Sequence, residues 1–197
     1  MKVILSLIFV VLFILGCTSN KEVKTENIET FSEPKNIVTY VGKNYFNFDN
    51  VELFNIDIDE EKVFDLWSKK ERTRDEEIFI EIIGNHDIPK SISDISFLTK
   101  IKNLGYKKTT INDSKNEELK NIFRFKKNSI IDSFACPAIY RDILVFKLKE
   151  KIVGIAKICF SCRHHYIVGT KLNTEQFGQG GDYEKLYEIL YNKQMLN

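Results

Sequence analysis

Residues 140 to 160 read YRDILVFKLKEKIVGIAKICF, and this stretch decides the fold. Two runs rich in Ile, Val, Leu and Phe, residues 140 to 148 and 152 to 160, are joined by a short polar link, which is typical of two strands in a β-hairpin. A third strand is predicted at residues 165 to 169. Apolar residues fill both alternating sets of positions in the first two strands, so both faces of the sheet should be covered. We therefore predict an α+β fold in which helices pack on a small antiparallel sheet, a meander in the second half of the chain.

Helical patterns supply the predicted cover. N-cap residues stand ahead of three amphipathic runs, at Asp59, Ser93 and Asp182, and Ser114-Lys-Asn-Glu117 matches the capping box of a helix that reaches about residue 125. Residues 77 to 83 fit a strand or a helix equally well, and Gly84-Asn85 ends that run. Most of these helices precede the strands, so the first half of the chain should cover at least one face of the sheet.

The amino terminus has the layout of an export signal. One positive charge, Lys2, precedes an unbroken apolar run that ends at Gly16. As a helix this run would span roughly 21 Å, less than the roughly 30 Å hydrocarbon core of a bilayer. Its end, Ile14-Leu15-Gly16-Cys17, resembles the lipobox read by lipoprotein-processing enzymes. We predict a lipoprotein signal peptide at residues 1–16 and lipidation of Cys17; the alternative is an ordinary signal peptide with a chance cysteine at its end.

A lipid-anchored surface protein is the organisation that follows. A multiply acylated Cys17 would hold the mature chain on a lipid bilayer. Residues 17–36 are polar, mixed in charge and without hydrophobic period, so they are predicted to form a flexible tether. Residues 37–197 are enough for a single globular domain. Thr18, in place of the Asp that favours inner-membrane retention, favours an outer-membrane position in the cell envelope, facing the periplasm or the surface.

Net charge argues against polyanionic partners. Processing would remove Lys2, so 28 of the 29 basic residues would remain against 28 acidic residues. A mature chain of zero formal charge is not drawn to nucleic acid or to anionic lipid by its overall field. We therefore expect no nucleic-acid partner, and the sequence identifies no protein or ligand partner.

Three cysteines besides Cys17 are the candidates for chemistry: Cys136, Cys159 and Cys162. His164 and His165 follow closely, so the alternative to a disulfide is a tetrahedral zinc site that uses the three thiolates with one or both histidines. A thiol-redox pair at Cys159 and Cys162 is less favoured because that pair ends an apolar strand, whereas redox pairs begin helices. Export to an oxidising compartment favours the disulfide over the zinc site.

Hairpin geometry selects the preferred disulfide. If Leu148 lies opposite Lys151, extending the ladder places Cys136 opposite Arg163, and a register one residue to either side places it opposite Cys162 or His164. Cys159 instead faces the neighbourhood of residue 140. Because a disulfide needs Cα atoms about 4.4 to 6.8 Å apart, we predict the pair Cys136–Cys162, which would contribute on the order of 3 kcal/mol.

The last third of the chain also carries a resemblance. Cys136-Pro-Ala-Ile-Tyr-Arg-Asp, Ile158-Cys-Phe-Ser-Cys162 and Phe177-Gly-Gln-Gly-Gly-Asp182 are similar to segments of a family of uncharacterised lipoproteins from Flavobacterium-like (Bacteroidetes) bacteria, which share an Ile-Cys-Phe-x-Cys motif. The similarity covers roughly residues 134 to 192. The resemblance implies the envelope compartment and a shared fold, and it implies no activity, cofactor or partner.

No catalytic constellation stands out. His86-Asp87 lies in a turn and has no nucleophile beside it. Arg141-Asp142 at a strand start is predicted to form a surface or rim ion pair. The favoured function is therefore a non-enzymatic binding or structural module without a cofactor. The alternative is a thiol-redox or zinc protein that uses Cys136, Cys159, Cys162 and His164 or His165.

Overall fold

A computed structural model describes residues 42–127 and 134–195. The predicted signal peptide, Cys17 and the predicted tether at residues 17–36 lie outside the described residues, as do residues 37–41 at the start of the predicted domain. Within the described ranges, no helix is long and apolar enough to cross a membrane.

The centre of the fold is a five-stranded antiparallel sheet with the order β2-β1-β3-β4-β5. Its strands are β1 (Asn50–Asn55), β2 (Lys107–Thr110), β3 (Asp142–Leu148), β4 (Lys151–Cys159) and β5 (His164–Val168). The last three form the predicted meander. The sheet and its covering helices confirm the α+β prediction, while β1 and β2 extend the sheet by two strands that the sequence did not predict.

The hairpin register is the one assumed from the sequence near the turn. Leu148 pairs with Lys151, and a bulge between Phe146 and Lys147 then shifts the ladder by one residue, so that Asp142 pairs with Ile158. The turn residues Lys149 and Glu150 both have positive φ, the backbone that two-residue hairpin turns need to match the strand twist.

Five α-helices occur within the described residues: α1 (Glu60–Ser68), α2 (Arg74–Gly84), α3 (Ile95–Asn103), α4 (Asn116–Ile122) and α5 (Asp182–Tyr191). The ambiguous run at residues 77 to 83 is helical. Its start is fixed by a capping box, in which the Thr73 side chain accepts from the Glu76 backbone N–H and the Glu76 carboxylate accepts from the Thr73 backbone N–H.

The predicted capping box at Ser114 is wrong. Residues 113–115 form a 3-10 turn, and the Asn112 side chain, not that of Ser114, accepts the local cap bond at 2.9 Å from the Ser114 backbone N–H. Asn at this position satisfies an orphan donor as well as Ser would. Two other starts shift by one residue, because Asp94 caps α3 and Gly181, with φ of +86°, caps α5.

Both faces of the sheet are covered, as the apolar strands predicted. Ile143, Val145 and Ile155 pack under α2 and α3 on one face. Leu144, Phe146 and Ile158 pack on the other face, under α4, α5 and the segment before β1. Neighbouring residues of a strand point to opposite faces, so each central strand contributes to both layers.

Candidate functional site at one end of the sheet

The disulfide lies just past the end of β4. Cys136 and Cys162 are bonded, with Cα atoms 5.9 Å apart, so the structure joins the pair that the hairpin register favours. The ladder itself does not extend that far, since β4 ends at Cys159 and residues 160–163 turn into β5. Arg163, with φ of +48°, is part of this turn. The turn therefore brings Cys162 back to the segment that contains Cys136.

Cys159 is a free thiol buried beside the disulfide. It is 1% exposed and packs in one cluster with Ala138, Tyr140 and Cys162. The backbone N–H of Ile139 donates to its sulfur over 3.3 Å. A thiol enclosed in this way behaves as a small core residue, because a reactive cysteine must be exposed to its reaction partner.

The two candidate histidines do not converge with the cysteines on one point. His164 Nε2 bonds the carbonyl of Phe134 at 2.8 Å, whereas His165 lies on the other face of β5 and bonds the Tyr183 hydroxyl at 2.9 Å and the Thr174 carbonyl at 2.7 Å. Burial lowers the pKa of His165 to about 4. Of the five residues predicted as alternative zinc ligands, the structure joins two in a disulfide and places the histidines on opposite faces. Within the described ranges no three His, Cys, Asp or Glu side chains are grouped to hold a metal ion.

A fully buried lysine lies on the same strand face as Cys159. Lys157 is 0% exposed, and its ammonium donates to the backbone carbonyl of Asn85 over 2.6 Å. The same nitrogen lies 4.5 Å from the centre of the Tyr140 ring and 5.9 Å from that of Tyr166, so aromatic faces replace a counter-ion. Burial lowers the pKa of Lys157 to about 7, against the attraction of the more distant Asp87 and Glu81.

His86 caps this buried cluster on the solvent side. Its Nδ1 is hydrogen-bonded to the Tyr140 hydroxyl at 2.5 Å. Burial lowers the pKa of His86, helped by His164 and Lys157, and burial raises the pKa of Tyr140. Both directions favour neutral side chains, in which the hydroxyl donates to the imidazole. The backbone N–H of the adjacent Asp87 donates a turn bond to Asn85 Oδ1 over 3.0 Å.

The predicted Arg141–Asp142 ion pair is wrong, because neighbouring residues point to opposite faces of the sheet. Arg141 turns toward α1, where its Nε donates to the Ile58 carbonyl at 2.9 Å and its Nη2 lies 3.5 Å from the Glu60 carboxylate. Asp142 turns toward α5 and is 5% exposed. Its Oδ1 accepts from Asn55 Nδ2 at 2.9 Å and from the Tyr191 hydroxyl.

These two side chains border a cleft, which we call the Arg141 cleft. It lies where β1 ends, β3 begins and β4 ends, and its volume is about 480 Å³. The residues that define it are Asn55, Arg141, Asp142, Ser161, Tyr187 and Tyr191. This volume is within the range of roughly 300 to 1,000 Å³ that is usual for small-molecule sites.

Sequence reasoning missed Lys157 and misassigned Asp142, although both left a signal. Lys157 stands two positions after Ile155 in an apolar strand, so its side chain points to the same buried face of the sheet. Asp142 stands two positions before Leu144, so it points to the buried face on the other side. An ionisable residue at an inward position is a site candidate. Tyr187 and Tyr191 gave no such signal, because their role depends on where α5 packs.

Comparison of this chain with models of protein families, with curated proteins and with solved structures finds no match. The resemblance to Flavobacterium-like lipoproteins therefore stays a prediction from the quoted motifs.

Proposed function

We propose that this chain is an exported lipoprotein of the bacterial cell envelope, a non-enzymatic binding module that takes its ligand in the Arg141 cleft. Lipid on Cys17 holds the chain on a membrane, in the outer membrane of a cell that has two. Residues 17–36 tether the folded domain at a distance from the lipid headgroups.

Export is supported by two independent features. The first is the apolar run that ends in Ile14-Leu15-Gly16-Cys17. The second is the Cys136–Cys162 disulfide, since such bonds form and persist in oxidising compartments and are rare in the cytosol. Neither feature depends on the other, because the first lies in the leader and the second in the folded domain.

The observation that carries the binding role is the Arg141 cleft. The Asp142 carboxyl, the Asn55 amide and the Tyr191 hydroxyl are hydrogen-bonded to one another there, and the Arg141 guanidinium and Tyr187 also border the cleft. A concave site with a few convergent polar groups, one of them an acid whose pKa is raised by burial, is the usual form of a small-molecule site.

Binding is favoured over catalysis by the state of the other ionisable groups. Lys157 and Cys159 are 0% and 1% exposed, and their polar atoms are hydrogen-bonded to backbone groups. A nucleophile must reach its substrate, so we assign these two enclosed side chains a structural role in the core.

A fragment screen tests the binding role. Ligand-observed NMR with a library of small polar and aromatic fragments would use the whole mature protein, its Ser161→Trp variant and the Arg74→Ala variant. Ser161 is exposed and borders the cleft, so Trp should fill the cleft. Its hydroxyl lies 3.5 Å from the buried Cys159 sulfur, so thermal unfolding must check that the variant keeps its core. Arg74 lies at the exposed start of α2.

We expect several fragments to bind the wild type and Arg74→Ala but not Ser161→Trp. If no fragment distinguishes Ser161→Trp from the wild type, the Arg141 cleft is not a binding site and the proposed role is wrong.

A further inference from the structure

The charges that border the Arg141 cleft are balanced. Two bases, Arg141 and Lys107, and two acids, Asp57 and Asp142, line it, and Glu60, which lies outside the lining, is 3.5 Å from Arg141 Nη2. A strongly anionic ligand would meet two acids, and a strongly cationic ligand would meet two bases. The balance favours a ligand without net charge, because complementary potentials select the partner.

One wall of the cleft is aromatic. Tyr187 and Tyr191 are one turn apart on α5, with ring centres 4.8 Å apart, and the Phe160 ring lies 5.1 Å from that of Tyr187. The face of an aromatic ring carries partial negative charge, so it attracts the weakly positive C–H groups of a polar ring. A ligand with one apolar face therefore fits this wall.

The polar groups that border the cleft offer both donors and acceptors. Asn55 and Tyr191 bond the Oδ1 atom of Asp142, which leaves Oδ2 without a hydrogen bond to any described residue. The Ser161 hydroxyl is 3.5 Å from the nearest Glu60 oxygen, a weak contact that a ligand hydroxyl can replace. A group that both donates and accepts, such as a hydroxyl, satisfies these atoms better than a carboxylate or an ammonium.

We infer that the Arg141 cleft binds a saccharide: a neutral ring whose C–H face lies on Tyr187 and Tyr191 and whose hydroxyls bond Asp142, Ser161 and Arg141. This inference rests on the proposed function and names its ligand class. The cleft volume of about 480 Å³ suits a short oligosaccharide and is too small to enclose a folded partner.

Isothermal titration calorimetry tests the ligand class on the whole mature protein, kept in a detergent that has no sugar headgroup. The probes are neutral mono- to tetrasaccharides with gluco-, galacto-, manno- and N-acetylated rings, and short neutral peptides for comparison. The variants are Tyr187→Ala, Arg141→Ala and Ser161→Trp, with Arg74→Ala as the matched control and thermal unfolding as the check that each variant folds.

At least one saccharide should bind the wild type and Arg74→Ala equally. Its affinity should fall about tenfold or more in Tyr187→Ala and in Ser161→Trp, the loss typical of removing or blocking an aromatic contact. Saccharide binding that the cleft variants leave unchanged, or no saccharide binding at all, overturns the inference.

The outcomes separate the two claims. Peptide binding that Ser161→Trp abolishes, without saccharide binding, would leave the Arg141 cleft as a binding site for another ligand class. If neither a saccharide nor a peptide depends on the cleft, and the fragment screen also fails, both the ligand class and the proposed function are wrong.

Discussion

The side-chain amine of Lys157 donates a hydrogen bond over 2.6 Å to the backbone carbonyl of Asn85, at the end of α2. No carboxylate of a described residue forms a salt bridge with it. The bond ties the turn after α2 to the middle of the sheet, at the expense of burying a positive charge. This part of the fold should therefore respond to pH.

Stability should rise with pH because of Lys157. Burial lowers its folded-state pKa from 10.5 to about 7, so between these values the unfolded chain binds more protons than the folded chain. The loss of stability caused by the buried ammonium is therefore complete below about pH 7 and disappears as the pH approaches 10.5. Urea unfolding should show this as a difference between the two proteins. The free energy of unfolding of the wild type, minus that of Lys157→Met, should increase by about 1 to 3 kcal/mol between pH 7 and pH 9.5.

Lys151→Met, at the exposed start of the same strand, controls for the loss of one lysine charge. The rings of Tyr140 and Tyr166 lie against the amine, and Asp87, Glu81 and His86 interact with it electrostatically. All of these groups remain in the Lys157→Met protein, so their titration largely cancels in the comparison. Equal pH dependence of the wild type and Lys157→Met would show that the buried amine keeps its ordinary pKa.

Asp142 should show the opposite dependence. Burial raises its pKa above 3.8, against the bonds from Tyr191 and Asn55, so the folded chain holds the proton more tightly than the unfolded chain. The carboxylate therefore destabilises the fold at neutral pH, and this penalty disappears as the pH falls below 3.8. Asp142→Asn keeps an oxygen acceptor without the charge, so its stability relative to the wild type should be greater at pH 7 than at pH 3.5.

Asp142→Ala is the matched comparison, since it removes the acceptor as well as the charge. It should destabilise by about 1 to 3 kcal/mol, because Asn55 and Tyr191 lose their partner. If the difference in unfolding free energy between Asp142→Asn and the wild type is the same at pH 3.5 and pH 7, the pKa of Asp142 is not raised by folding.

The disulfide should stabilise the domain more than the neighbouring free thiol does. Replacing Cys136 and Cys162 together by Ser should cost about 3 kcal/mol, since the bond closes a sequence separation of 26 residues. Cys159→Ser should cost less, because it keeps an acceptor for the Ile139 N–H. Urea midpoints measure both, and a Cys159→Ser loss as large as that of the double variant would contradict this ranking.

The predicted tether should be dispensable for folding. A chain that begins at Asn36 keeps every residue that the structure describes, and the removed residues 17–35 have no hydrophobic period. It should unfold in one cooperative transition, within about 1 kcal/mol of the whole mature chain. A broad transition in calorimetry would mean that part of the tether belongs to the core.

The sheet meander could be predicted because its strands carry the signal locally. Residues 140 to 160 contain two runs with apolar side chains at both odd and even positions, separated by three polar residues. These two runs correspond to β3 and β4. β2 could not be found this way, since its sequence is Lys-Lys-Thr-Thr and all four residues are exposed. It is an edge strand, where lysines discourage pairing with another chain. It adopts the strand conformation because it pairs with β1 and not because its own residues favour it.

The disulfide could be predicted from the sequence, whereas the Arg141 cleft could not. The cysteine pair was predicted from the hairpin register, but the ladder ends at Cys159, and it is the turn at residues 160–163 that brings Cys162 to Cys136. The Arg141 cleft was not predicted, since Asn55, Asp142 and Tyr191 meet from β1, β3 and α5, which are distant in the chain. Such long-range contacts depend on how the elements pack.

The most direct test of the central claim, an exported lipid-anchored domain, is the intact mass of the mature protein extracted from membranes of its own cells. Denaturation with an alkylating reagent and without reductant would precede the measurement. We predict a chain that begins at Cys17 and carries acyl groups on it, with one disulfide and a single alkylated thiol, that of Cys159. A chain that retains residues 1–16, or that begins at an unmodified residue, would contradict the account.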